Sequence, residues 1–163
     1  MGSGKTSVGK RLANELNLDF IDSDHEVERR TGTTIPIIFD IEGEAGFRKR
    51  EAAVIDELTA RNNIVLATGG GAVLRTENRD RLKARGTVVY LSATADELYE
   101  RTARDRNRPL LQTEDPRSKI VELLQERDPL YREIADFSVS TGRQNIQKVV
   151  SEIITALRDR DNH

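Results

Sequence analysis

The chain has 163 residues, with 26 Lys+Arg against 28 Asp+Glu and a net charge of -2. That length suits one domain with one core, and the near-balance of charge argues against a general nucleic-acid binder, which needs a basic excess. The sequence has no cysteine and only two histidines, His25 and His163, so disulfides, thiolate catalysis, cysteine zinc sites and a histidine ligand cluster are excluded. No apolar run approaches the roughly 20 residues needed to span a bilayer, and no secretory segment is present.

In chain order, a helix follows Gly4-Lys5, with Val8, Leu12 and Leu16 at helical spacing. A short strand is predicted at 19–21 and a helix at 23–30. Residues 43–61 form a long amphipathic helix. Residues 63–67 form a buried strand, stopped by Gly69-Gly70-Gly71. A helix begins near Thr76 and ends near Gly86, before the clearest strand, 87–91. A helix over 94–104 leads into a polar loop, 105–117, that contains Pro109 and Pro116. A helix over 118–127, a strand over 137–140 and a helix over 146–157 close the chain. Strands alternating with helices mark an α/β domain with a parallel sheet. No repeat or linker divides it, so residues 1–163 are expected to form one domain.

Gly2-Ser3-Gly4-Lys5-Thr6 is the second half of a GxxxxGK[ST] phosphate loop. Glycines there let backbone N–H groups surround phosphate oxygens, and the helix that follows presents its positive end to the same anion. Lys5 would reach the phosphates and Thr6 would ligate Mg²⁺. The same start also fits a myristoylation pattern, but a phosphate loop explains the residues better. The motif's first glycine belongs two positions before Met1, with a strand ahead of it. We therefore expect the first central strand to be absent from this chain. We also expect the chain as written to be poorly folded or inactive.

Other polar residues admit two readings each. Asp22 and Asp24 follow a strand, where residues of a parallel sheet face the ligand crevice; alternatively, Ser23 or Asp24 caps a helix. Gly69–Gly71 allows close backbone approach to a ligand, or makes a tight strand-to-helix turn. Arg48 reads alone as helix surface. Arg127 reads as a cation at a helix end, suited to the macrodipole. Arg108 is an exposed loop residue or a lid arginine, with Arg104 and Arg106 nearby.

Together these pieces resemble the shikimate kinase family over nearly the whole chain. The resemblance is carried by GSGKT at 2–6, FIDSD at 20–24, GEAGFR at 43–48, TGGGAV at 68–73, RNRPLL at 106–111 and ERDPLYREIAD at 126–136. It implies a three-layer P-loop kinase fold, like that of the nucleoside monophosphate kinases. A parallel sheet carries flanking helices and a lid. It implies phosphorylation of shikimate by ATP with Mg²⁺, in a cytoplasmic monomer without nucleic-acid or membrane partners. It places Gly2, Ser3, Gly4, Lys5, Thr6 and Ser7 on the nucleotide phosphates, and Thr6 and Asp22 on Mg²⁺. Asp24 matches the residue that binds the substrate hydroxyls and takes the proton. Arg48 and Arg127 match the pair gripping the shikimate carboxylate, and Gly70 and Gly71 the backbone contacts to substrate. Arg108 matches the lid arginine. Arg101 matches an arginine packed on adenine, and residues 141–146, with Arg143 among them, the opposite adenine wall. Proline is frequent in the family where Ile146 stands. The rival readings are a gluconate kinase and a catalytically dead, kinase-shaped binding protein.

Overall fold

A computed structural model describes residues 4–102, 115–142 and 144–161. The described elements are α1 (Lys5–Leu16), β1 (Asp19–Asp22), α2 (Ser23–Thr31), α3 (Ile35–Thr59), β2 (Ile64–Ala67), a 3₁₀ turn (Gly70–Leu74), α4 (Thr76–Arg85), β3 (Val89–Ser92), α5 (Ala95–Thr102), α6 (Pro116–Ile134), β4 (Phe137–Ser140) and α7 (Ile146–Asp161).

β1 pairs in parallel with β2, Asp19 opposite Ile64 and Asp22 opposite Ala67. β3 pairs in parallel with β4, Val89 opposite Phe137 and Ser92 opposite Ser140. Helices cover both faces, and β2 shows why. Val65 packs on a cluster built by Val8 and Leu12 of α1, Val139 of β4, and Val149, Val150 and Ile153 of α7. Its neighbour Leu66 packs on the other cluster, formed by Val27 of α2 and Ile38, Phe47, Val54 and Leu58 of α3. Successive strand side chains point to opposite faces, so a strand that is apolar at consecutive positions is covered on both. This is the expected layered α/β arrangement.

Three helices depart from the predicted bounds, and the simplest case is α7, which runs on to Asp161. α3 begins at Ile35, and Gly43, at φ 73°, splits it into two helical halves. The second half is the predicted amphipathic helix; the first was not anticipated. α6 runs through Pro129 to Ile134. Arg127 is therefore inside a helix and not at its end, which removes the macrodipole reading. An interior proline removes one backbone hydrogen bond and normally breaks a helix. Here the turn beyond it is held by Ile134, which is buried, and by Tyr131, whose hydroxyl is bonded to another element.

β2 and β3 do not pair with each other. Between them lies a groove of about 520 Å³, lined by Val65, Leu66, Val89, Leu91, Leu12 and Leu58, with Lys5 also on its lining. The groove is flanked by β2 on one side and β3 on the other. An apolar strand there would bury about four side chains at roughly 1.5–3 kcal/mol each. It would also offer partners to the facing backbone groups of β2 and β3. A variant with about ten residues added before Met1, ending in such a strand and a glycine two positions before Met1, is therefore expected to melt at least about 10 °C higher than the 163-residue chain. Calorimetry of the two side by side checks this; equal melting temperatures would mean that the groove takes no strand.

Candidate active site

The site lies where β1 and β2 end. Gly4, at φ 81°, turns the chain into α1, so the first turn of that helix has backbone N–H groups with no intrahelical partner. Lys5 and Thr6 stand on this turn. Lys5 Nζ lies 3.2 Å from Asp22 Oδ2 and 3.8 Å from Asp24 Oδ2. The Thr6 hydroxyl donates to Asp22 Oδ2 at 3.1 Å. Ser7 is exposed on the same turn.

Asp22 is also the N-cap of α2, accepting from the backbone N–H of Asp24 at 2.9 Å and of His25 at 3.4 Å. The capping role expected of Ser23 or Asp24 thus falls to Asp22. Burial pushes the Asp22 pKa up, but the charge and hydrogen bond of Lys5, with the two backbone donors, outweigh it and hold the carboxyl below its ordinary range. Ser23, fully buried, instead accepts a hydrogen bond from Gly69 N–H at 3.3 Å. That bond ties the end of β1 to the glycine turn after β2.

The glycine turn explains why two of its members lack side chains. A Cβ on Gly69 would lie 2.5 Å from Asp24 Oδ1, and a Cβ on Gly71 would overlap the Arg48 guanidinium. The turn therefore lies directly against two of the expected substrate residues. The first two N–H groups of a 3₁₀ helix have no partner inside it. In this turn they belong to Gly70 and Gly71.

Arg48 is not surface: it is buried on α3, as Arg127 is on α6. Arg48 Nη1 donates to Glu51 Oε1 and Oε2 at 3.1 and 3.2 Å, and Nη2 to Glu44 Oε1 at 3.3 Å. The Nε atoms of Arg48 and Arg127 are buried, without a hydrogen-bond partner among the described residues. Glu51 is completely buried, and its pKa is pushed up to about 7; burial is the largest cause, while Arg48 and Arg127 pull it down and Asp24 pushes it up. Asp24, Arg48, Glu51 and Arg127 thus form one electrostatic cluster. Tyr131 joins it, since its hydroxyl feels the charges of Arg127, Arg48 and Glu51.

At the other end of the site, Arg101 donates to the Thr141 hydroxyl at 3.1 Å and to the carbonyls of Thr141 and Gly142 at 2.8 and 3.0 Å. The two expected adenine elements, Arg101 and the segment after β4, are therefore in contact. Ile146, the first residue of α7, is exposed. Gly2, Ser3, Arg108 and Arg143 lie outside the described residues. Among the described residues, no group of three or more His, Asp or Glu could hold a metal, and no helix is long and apolar enough to cross a membrane.

Sequence reasoning missed Glu51, Ser23 as a tie and Tyr131. Helical spacing carried a signal for two of them: Glu51 is three residues after Arg48, and Tyr131 four after Arg127, so each shares a helix face with its arginine.

The family model for shikimate kinase matches residues 1–158. The chain belongs to the shikimate kinase family. A shikimate kinase of Burkholderia lata is 59% identical over 157 residues, 96% of this chain and 85% of the relative. A solved shikimate kinase from Acinetobacter baumannii, in complex with shikimate, superimposes with a TM-score of 0.96 at 51% identity, covering 98% of this chain and 89% of that one. A gluconokinase from Sinorhizobium meliloti reaches a TM-score of 0.65 at 21% identity, which shows a shared fold and nothing of substrate. As a shikimate kinase, the chain is a phosphotransferase that uses ATP to convert shikimate to shikimate 3-phosphate.

In this shikimate kinase the raised Glu51 pKa has a consequence for stability. A carboxyl whose folded pKa lies above its ordinary value binds its proton more tightly when folded. Its contribution is complete below the ordinary value of 4.5 and is lost as pH rises through about 7. Over that window the parent should lose stability relative to Glu51→Gln, which cannot ionise. Melting temperatures of the two proteins between pH 4.5 and about 7.5 test this; a difference that does not change with pH would rule it out.

Proposed function

We propose that Asp24 is the catalytic carboxylate and that Arg48 and Arg127 hold the substrate carboxylate. The carrying observation is that Asp24 joins the two ends of the site: its carboxylate is 3.8 Å from Lys5 Nζ and lies against Gly69, within the field of the Arg48–Glu51–Arg127 cluster. A hydroxyl bound at Asp24 therefore stands between the phosphate lysine and the carboxylate clamp.

Each group has a separable task. Planar guanidinium forks suit a carboxylate, and both arginines stand in one electrostatic cluster with Asp24 and Glu51. The N–H groups of Gly70 and Gly71, which have no partner inside the turn, supply neutral donors to the substrate. Asp24 orients the acceptor hydroxyl and takes its proton late in the transfer. Phosphoryl transfer depends mainly on positioning and on charge neutralisation. Lys5 supplies positive charge to the transferring group, helped by the backbone N–H groups of Gly2 to Ser7. Arg108 is assigned the closing charge by resemblance.

Thr6 and Asp22 fit Mg²⁺: a hydroxyl and an ionised carboxylate converge within 3.1 Å, and hard oxygen donors of this kind suit a cation that also binds nucleotide phosphates. When bound, Mg²⁺ neutralises phosphate charge. Arg101 and residues 141–146 are assigned to the adenine. The near-balanced net charge argues against a general nucleic-acid partner, and by family resemblance we place the enzyme in the cytoplasm as a monomer of one domain.

Steady-state kinetics with shikimate and ATP test these roles. Asp24→Asn is expected to lower kcat by about 10²- to 10⁴-fold and to leave ATP affinity nearly unchanged. A kcat within about threefold of the parent would return Asp24 to a structural role. Arg48→Ala and Arg127→Ala should each weaken shikimate binding by on the order of 2–5 kcal/mol while sparing ATP. Arg48→Lys should also be impaired, because an ammonium cannot reproduce the fork. Calorimetric titration of shikimate decides the matter, and an unchanged Kd would remove that arginine from the clamp.

A further inference from the structure

The glycine turn is held from outside at several carbonyls. Asn78 Nδ2, fully buried on α4, donates to the Ala72 carbonyl at 2.9 Å, and Arg79 Nη1 donates to the Val73 carbonyl at 2.6 Å. The first carbonyl of the turn, Gly70 O, accepts from the Tyr131 hydroxyl. Tyr131 stands one helical turn beyond Arg127 on α6, so the two side chains leave the same helix face. We infer that Tyr131 is a positioning residue for the transfer reaction, fixing the glycine turn and Arg127 in one frame so that the Gly70 and Gly71 N–H groups and the Arg127 guanidinium meet the same substrate.

Three observations carry this. The Tyr131 hydroxyl bridges α6 to the turn at the peptide unit whose N–H belongs to Gly71, because Gly70 O and Gly71 N share one plane. Fixing that carbonyl fixes the direction of the amide proposed to meet substrate. The ring is itself braced. It packs on Tyr90 of β3 with centroids 4.8 Å apart, and Tyr90 donates to Asp128 Oδ1 at 2.7 Å, closing a loop back to α6. Arg132 secures Asp128 from the same helix at 2.9 Å. Finally, burial raises the Tyr131 pKa, so the hydroxyl keeps its proton and remains a donor at neutral pH. The inference rests on the proposed roles of Arg127, Gly70 and Gly71.

Tyr131→Phe tests it, because Phe keeps the ring on Tyr90 and removes only the donor. The expected result is a rise of about five- to tenfold in shikimate KM and Kd, the loss that one net hydrogen bond represents. ATP KM and kcat should stay within about twofold of the parent. Combined with Arg127→Ala, the second change should add less than its full factor, because the two residues act on one frame. An unchanged shikimate KM for Tyr131→Phe, with Arg127→Ala strongly impaired, overturns the positioning role and leaves the clamp intact. An unchanged shikimate Kd for Arg127→Ala overturns the clamp itself. Equal losses in shikimate KM, ATP KM and melting temperature for Tyr131→Phe would make the tyrosine a general packing residue and also sink the inference.

Discussion

The parallel register that sets Asp22 opposite Ala67 is the constraint on which the site depends. With the two strands ending side by side, the residues that follow them meet. Ser23 accepts from Gly69 N–H, and Asp24 lies where a Gly69 side chain would be. A one-residue slip would turn every side chain of β1 to the opposite face and carry Asp22 away from Lys5. The short strands thus act as a ruler between Lys5 on α1 and the glycine turn.

Charge is the second constraint. Arg48, Glu51 and Arg127 are all buried, and removing charges from water costs more than a simple ion pair returns. The cluster holds two arginines, and Glu51 is the buried carboxylate paired with Arg48. Its proton is near balance around neutral pH. Such an arrangement is costly to the free protein unless each buried charge finds a partner. The Asp22–Lys5 pair is more exposed and holds the lysine at the start of α1 against the end of β1.

Much of the site was legible along the chain because its signals are local. A glycine–lysine–threonine step before an amphipathic helix, an aspartate pair after a strand and a glycine run after another strand each declare a position at the ligand-facing end of an α/β sheet. Arg48 and Arg127 were different. Each sits among other charged residues on a helix, and nothing local separates a buried arginine from a solvated one. Arg127 was further obscured by Pro129, which reads as a helix end. The helix continues because Tyr131 and Ile134 are anchored in the tertiary structure, a stabilisation invisible to any local rule. The first half of α3 was missed for a similar reason: Gly43 breaks the pattern, and only the packing of Ile38 against Val27 and Phe47 shows that the helix begins earlier.

The sequence by itself determined the element types, the phosphate loop, the aspartates and glycines at the strand ends, and, through its resemblance, the family. These follow from short-range geometry, namely which backbone conformations a residue allows and which faces a period exposes. Only the tertiary structure decided that Asp22 caps α2, that Ser23 ties the two strand ends, that Glu51 backs Arg48, and that Tyr131 links α6 to the glycine turn. It also decided that the groove between β2 and β3 is apolar on both sides. Each of these joins residues from different elements or depends on burial. Burial and long-range partners arise only when strand register and helix packing bring distant segments together, so a linear chain carries no direct sign of them.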